Sequence, residues 1–306
     1  MNLQQLRAVR ETARQGYSLT RAADVLLTTQ PSLSKALAEL ENELGFAVFE
    51  RRGKRLLGLS TPGKAVLQSA ERVLQEIDNL GKIGKNFGTE ESGRLTIATT
   101  HTQARYFLPK AVTVFRERFP KVRLAILQGT PQQIAQWVES GVADCGVATE
   151  ALARYDALVT LPAYGWQHFA IAPHGHPVFR QEISLKTLAR HPLITYEPAF
   201  AGRSQIDHAF ASEGITPNVV LEAIDADVIK TYVNLGMGVG IVSSVAYDAK
   251  IDASLQAAPL KDLFGMQYTR IGLRRGVLLR SFVYHFISAL VPSLTPAKLD
   301  DALGIK

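Results

Sequence analysis

Apolar positions in the first sixty residues recur at helical spacing in three short runs. Leu3, Leu6, Val9 and Ala13 predict a helix that ends at Gly16, and Ser18 is placed to cap a second helix carrying Leu19, Ala22, Ala23, Val25 and Leu26. The run from Gln30 to Gly45 puts Pro31 in a first helical turn, where its missing N–H costs nothing. It also sets Leu33, Leu37, Leu40 and Leu44 on one stripe. Three short helices with a tight connection before the third describe a helix-turn-helix. Residues 46–61 then alternate about Arg52, Gly53 and Lys54, as a two-stranded wing does.

From Thr61 the period stays helical over a much longer run. Val66, Leu67, Ala70, Val73, Leu74, Ile77 and Leu80 follow spacings of three and four, which makes a narrow apolar seam. A seam on a helix that bridges two domains suits a partner chain, so Val66, Val73, Leu74 and Ile77 are candidate dimerisation residues. Packing on its own domain is the alternative. The glycine-rich, charged stretch 81–93 reads as a hinge.

Beyond it the period shortens. RLTIATT (94–100) is a strand, followed by a helical run through Phe119, the strand VRLAILQG, a helix from Pro131 to Val138 and the strand ADCGVAT. A second half repeats the plan with WQHFAIAP, PLITY, a helix around Arg203 to Ser212, NVVLEAI, a helix from Ala226 to Leu235, and GVGIVSS. TRIGLRR is again a strand, and LLRSFVYHFISAL is a helix able to return to the first sheet. Alternating strands and helices predict parallel sheets, here in two α/β subdomains with a cleft between them.

Composition removes several classes of function. At 306 residues, 46% hydrophobic and 20% charged, the chain is a multidomain globular protein rather than a disordered or fibrous one. The single cysteine, Cys145, excludes an intrachain disulfide framework and fits a reducing, cytoplasmic setting. No signal-peptide core or membrane-length apolar run is visible, so a membrane partner is not expected. The net charge of +6 is mild, but Arg51, Arg52, Lys54 and Arg55 crowd into five residues. Such a run is either a solvated turn or a patch that neutralises phosphates.

Candidate chemistry falls in two places. Residues near the start of a recognition helix reach base edges, which singles out Gln30, Ser32, Ser34 and Lys35; Ser32 as a cap and Lys35 as a solvated charge are the alternatives. The wing projects Arg51, Arg52, Lys54 and Arg55 toward phosphate or the minor groove. In the α/β half, three strand ends run into helix starts at Thr100 to Gln103, at Gln128 to Thr130 and at Thr149-Glu150. Strand C-termini line the crevice of an open sheet, and hydroxyls beside a helix N-terminus suit a small anion; helix capping is the other use of these threonines. GMGVG (236–240) enters a strand rather than a helix, the reverse of a dinucleotide fingerprint, and reads as a turn. His174-Gly175-His176 lacks neighbouring ligands and reads as a loop, Cys145 as a small core residue. No catalytic residues, metal site or cofactor are expected.

LQQLRAV, the Ala22-Ala23 pair, QPSLSKALAELENELG and FERRGKRLLGLSTPG with the long helix after it, in that order, resemble the LysR-type transcriptional regulators. Within that family IATTHTQARY, QGTPQQIA, ATEAL, GRSQID and DADVIKTYVNLGMGVG resemble the branch that controls the cysteine regulon. The resemblance implies an N-terminal winged helix-turn-helix (1–60) and a linker/dimerisation helix with hinge (61–93). An effector-binding domain follows (94–306), of two Rossmann-like subdomains of the periplasmic-binding-protein type: 94–162 with 267–306, and 163–266. It implies double-stranded DNA, a small anionic effector from sulfur assimilation (sulfate, adenosine phosphosulfate or an acetylserine) and further copies of the chain in a homotetramer as partners, with RNA polymerase contact in addition. It places Thr100, Thr102, Gln103 and Thr149 on a sulfate-like group with Trp166 on the opposing wall, and Thr130 joins them as a strand-end candidate. Ala201 stands where that branch has a threonine before GRS, so one hydroxyl is missing. A two-lobed anion-binding module without DNA function is the alternative reading, and a metabolic enzyme the third.

Overall fold

The computed structural model describes residues 1–53, 55–86, 92–198, 200 and 202–305, without the side chains of 78 and 82–86. The chain divides into two compact units, Met1–Gly88 and Thr89–Lys306.

The first unit holds α1 (Leu3–Arg14), α2 (Leu19–Val25), α3 (Gln30–Leu44), β1 (Phe49–Arg52), β2 (Arg55–Leu59) and α4 (Thr61–Asn86). Each of the first three helices starts at a side-chain cap: Asn2 with Gln5 in a capping box, Ser18, and Thr29. α3 ends at Gly45, whose φ of +79° is the left-handed conformation that glycine adopts without a steric cost. The α3 stripe Leu33, Leu37 and Leu40 is buried with Val9, Ala22 and Phe49 in one core. β1 and β2 pair as the wing, turning at Gly53. α4 continues through Gly81 to Asn86 and β3 starts at Ser92, so both ends of the stretch expected to be a hinge belong to regular elements, and 87–91 lie outside the described residues. A glycine weakens a helix by about 1 kcal/mol and does not by itself end one.

The second unit opens with β3 (Ser92–Thr99), then a π-helical turn (Gln103–Phe107), α5 (Leu108–Arg118), β4 (Lys121–Gln128), α6 (Pro131–Glu139), β5 (Cys145–Thr149) and β6 (Leu158–Trp166). It continues through β7 (His168–Pro173), α7 (Leu185–Leu188), β8 (Leu193–Tyr196), α8 (Arg203–Ser212), β9 (Val219–Ala223), α9 (Ala226–Asn234), β10 (Val239–Ser243), β11 (Leu255–Pro259) and α10 (Lys261–Phe264). The last elements are β12 (Gln267–Arg274), α11 (Ser281–Leu290) and α12 (Pro296–Leu303). Two five-stranded sheets result, ordered β4-β3-β5-β12-β6 and β11-β7-β10-β8-β9.

Both sheets are mixed rather than parallel. β3 runs parallel to β4 and β5, but β12 is antiparallel to β5 and β6; likewise β8 is parallel to β9 and β10 while β7 is antiparallel to β10 and β11. The antiparallel strands flank the two passages between lobes, at Gln167 and at residues 265–266, where the chain enters the next sheet without the crossover helix that parallel pairing needs. β6 stays in the first sheet to its end, so the crossing lies after Trp166 and not after residue 162. WQHFAIAP is therefore two strands in two lobes. α11 does return to the first sheet, setting Phe282 and Phe286 edge-on to Phe115 of α5. Cys145 is fully buried in that core, and burial pushes its thiol well above the ordinary range, which leaves it a packing residue.

Candidate functional site

On the first unit the polar residues that open α3 stand free of the core. Gln30, Ser32 and Lys35 are exposed and Ser34 half-buried. Thr29 is the cap, accepting from the Ser32 amide, and the two hydroxyls lie 2.8 Å apart, so Ser32 is tied into the start of the helix. Lys35 reaches Glu39 only at 3.9 Å on a solvated face. The basic wing divides by role. Arg51 donates to Glu41 Oε2 at 2.7 Å, while Glu41 Oε1 accepts the amides of Val48 and Phe49, so Arg51 fastens the wing to α3 instead of projecting. Arg52 and Arg55 face each other across the hairpin and are exposed; Lys54 lies outside the described residues.

The candidate seam of α4 also divides. Leu74 and Ala70 close on Leu6, and Val66 and Leu67 cover the helix-turn-helix core, whereas Val73 and Leu80 remain exposed and Ile77 half-buried. Leu74 thus serves its own chain.

In the second unit one cavity between the lobes gathers Thr100, Thr102, Gln103, Thr149, Trp166, Phe200, Ile224 and Ser243. Its volume, with the open mouth included, is about 290 Å³. β3 and β5 are neighbours in the sheet, so Thr100 and Thr149 meet at their C-terminal ends. Thr99, one residue earlier, spends its hydroxyl on the Val147 carbonyl. The helix after β3 opens in a π-helical turn that holds Gln103, only 3% exposed. Neither Thr102 nor Thr149 uses its hydroxyl as a helix cap. Thr130 does: it forms a capping box with Gln133 beyond the edge strand β4 and does not line the cavity. Trp166 lines the cavity from the end of β6 in the first sheet, paired with Gln267, rather than from the opposing lobe. Pro162 and Gly165 hide β6 from a sequence reading.

Two buried polar atoms in this lining have no hydrogen-bond partner: Trp166 Nε1 and Ser243 Oγ. Ser243 and Tyr196 escaped the sequence reading, although Ser243 ends the strand GVGIVSS and the strand-end rule points to it. The Tyr196 hydroxyl accepts the Ser243 amide at 3.1 Å, and burial pushes its phenol well up. Ala201 lies outside the described residues, but the adjoining Gly202 caps α8 with φ +67°, and a Cβ there would sit 3.2 Å from His168.

Beside the cavity the lobes are joined by charge. Arg105 Nε lies 2.6 Å from Asp227 Oδ2, and the Tyr106 hydroxyl donates to Asp227 Oδ1 at 2.6 Å. Buried Lys230 donates to Tyr106 Oη at 3.1 Å and the Ala246 carbonyl at 3.0 Å, and pairs with Asp252 at 3.0 Å. Burial opposes charge on Asp227, but the Tyr106 hydroxyl with Lys230 and Arg105 outweighs it and holds the carboxyl below its ordinary range. His101, Asp225 and Asp227 bring ligand atoms within 4.8 Å of one another, yet Asp227 is engaged by two cations and Asp225 caps α9.

The model of the "Bacterial regulatory helix-turn-helix protein, lysR family" matches residues 3–64, and that of the "LysR substrate binding domain" matches residues 88–294. The chain belongs to the LysR family. This LysR-type transcriptional regulator is 51% identical to the HTH-type transcriptional regulator CysB of Burkholderia cenocepacia over 99% of its length and 97% of that protein. It is 52% identical to SsuR of the same species (98% and 97% covered) and 47% to Cbl of Escherichia coli (94% and 91%). Among solved structures, the cofactor-binding domain of the Cbl transcriptional regulator superposes with a TM-score of 0.67 at 42% identity, covering 70% of this chain and 94% of that one. CbnR in complex with its target DNA shares the fold, with a TM-score of 0.54 at 18% identity over 95% and 99%.

Proposed function

We propose that this regulator controls sulfur-assimilation genes from the cytoplasm, performs no chemistry of its own, and takes a small tetrahedral oxyanion of the sulfate class as effector. The observation that carries the effector reading is the cavity lining: four hydroxyls, an amide and an indole N–H, with no charged side chain among them. Neutral donors stabilise an anion by oriented dipoles, as helix N-termini and backbone amides do. A small cavity, about 290 Å³ with its open mouth, favours sulfate or thiosulfate over a bulky adenosine-bearing ligand. Similarity to CysB, SsuR and Cbl over nearly the full length supports the sulfur-assimilation role. A thermal-shift series with sulfate, thiosulfate, adenosine phosphosulfate and acetylserines tests it: sulfate or thiosulfate raises the melting temperature with a logarithmic dependence on concentration, and silence of both anions contradicts the reading.

DNA affinity rests in this reading on the wing and the opening of α3. The double variant Arg52→Ala/Arg55→Ala weakens binding to every sequence and lowers the salt slope by about two, one for each phosphate contact removed. Gln30→Ala instead narrows the gap between specific and unrelated DNA. An unchanged slope in the double variant removes the wing from the interface, and parental protein that shows no salt-dependent gel shift favours an anion-binding module without DNA function.

Assembly as a homotetramer uses the apolar residues that α4 leaves uncovered, and RNA polymerase is the further partner on DNA. Val73→Glu/Leu80→Glu lowers the mass measured by light scattering, whereas a parental mass shows that these residues meet no second copy. Effector binding shifts the arrangement on DNA only by its differential affinity for the two states.

A further inference from the structure

The amide of Gln103 is the one polar group of the cavity lining whose two ends are nearly alike in shape and opposite in polarity. Hydroxyls of Thr100, Thr102, Thr149 and Ser243 turn to suit an occupant, and the Trp166 indole only donates. Gln103 either offers its N–H groups to an anion or opposes it with a carbonyl oxygen. Tyr164 decides between them. Its hydroxyl donates to Gln103 Oε1 at 2.7 Å, which turns that oxygen toward β6 and leaves the amide N–H groups for the cavity.

Local structure holds the tyrosine in that place. Tyr164 stands on β6 two residues before Trp166, so strand alternation gives both side chains the same face. Its ring packs at 4.6 Å on Phe107, the last residue of the π-helical turn that carries Gln103. The turn therefore supplies both the amide and the surface that seats its partner. Burial pushes the Tyr164 phenol above its ordinary value, so the hydroxyl keeps its proton.

We propose that Tyr164 is the specificity-determining positioning residue of this site: by fixing the Gln103 amide as a donor it makes the cavity select fully deprotonated oxyanions, such as sulfate, over hydrogen phosphate. The proposal rests on the oxyanion reading of the cavity. Hydrogen phosphate carries an O–H that needs an acceptor, and no carboxylate stands among the described lining residues. A hydroxyl of the lining that accepts this proton must give up its own donation to the anion. Freeing Gln103 to rotate supplies an acceptor, which costs sulfate a donor and offers hydrogen phosphate a partner.

The test is a double-mutant cycle by calorimetry on the full chain, titrating sodium sulfate and sodium hydrogen phosphate separately at a pH where both are dianions. Tyr164→Phe keeps the ring on Phe107 and removes only the hydroxyl. It lowers sulfate affinity roughly fivefold to tenfold and changes hydrogen-phosphate affinity no more than about twofold, so the selectivity ratio falls. In a Gln103→Ala background, which deletes the amide, Tyr164→Phe changes neither anion by more than about twofold, because its effect passes through Gln103. Equal loss for both anions, a selectivity ratio that does not move, or the same loss in the Gln103→Ala background overturns the proposal. Wild-type protein that prefers hydrogen phosphate overturns it also. Wild-type protein that binds neither anion overturns the oxyanion reading itself, whereas sulfate binding that ignores Tyr164→Phe removes only the role of the tyrosine.

Discussion

Lys230→Met is expected to destabilise the effector-binding unit by about 3–5 kcal/mol, which lowers its melting temperature by roughly 10 °C in a unit of this size. The reason is what the substitution leaves behind. Lys230 is 7% exposed and answers Asp252, the Tyr106 hydroxyl and the Ala246 carbonyl; without it the nearly buried Asp252 loses its cation and the half-buried Asp227 keeps only Arg105. Methionine keeps the apolar stem, so the loss reports charge and hydrogen bonding rather than a cavity. Adding Asp252→Asn to Lys230→Met recovers part of the stability, since it removes one stranded charge. The pH dependence follows from the signs. Burial opposes the charge on Lys230, but its bonds to Tyr106 and Asp252 hold its value above the ordinary 10.5, so its contribution is complete below that pH and is lost as pH rises through the raised value. Asp227, held below 3.8, contributes above that pH and loses its part as pH falls through the lowered value. The gap between parent and variant is therefore level from about pH 5 to pH 9, as calorimetric scans across that window can check. A gap that collapses within it contradicts the assignment.

The second large effect belongs to the cavity. Thr102→Ala/Thr149→Ala removes one hydroxyl from each of two strand ends that line the proposed oxyanion cavity. A hydrogen bond to a charged group contributes on the order of 1.5–3 kcal/mol, so the pair together weakens sulfate binding by more than a hundredfold. Thr130→Ala serves as the contrast. Its hydroxyl caps α6, so it lowers stability by about 1 kcal/mol and leaves sulfate affinity unchanged. Isothermal titration of the three proteins distinguishes a binding threonine from a capping one, which the sequence did not do.

That distinction shows where the chain's pattern is legible and where it is not. Local rules sufficed for the helix-turn-helix: Ser18, Pro31 and Gly45 sit at caps and turns whose chemistry acts within a few residues. The strand-end rule found Thr100, Thr102, Gln103 and Thr149, because the first three follow the end of β3 and the fourth closes β5. It failed at Thr130, since edge position in a sheet is a property of strand order, which no local pattern carries. Mixed sheet polarity and the late crossing after Trp166 were hidden for a related reason: Pro162 and Gly165 break the alternation of β6, and the antiparallel return of β12 depends on where the chain re-enters the lobe. Arg51 and Leu74 looked like surface chemistry because charge and periodicity do not reveal an intrachain partner. Glu41 and Leu6, ten and sixty-eight residues away, claim them. Tyr164 carried no motif at all and emerges only from its distance to Gln103.

Coupling of an oxyanion in the cleft to DNA held by the wing and α3 is most directly measured by selecting genomic DNA fragments on the full-length protein, with and without sulfate, and sequencing what is retained. Wild-type protein is expected to enrich fragments upstream of sulfur-assimilation genes, with sulfate changing their retention, while Thr102→Ala/Thr149→Ala enriches the same fragments and ignores sulfate. Absence of enrichment, or the same sulfate response in wild type and double variant, would contradict a regulator that reads this anion through this cavity.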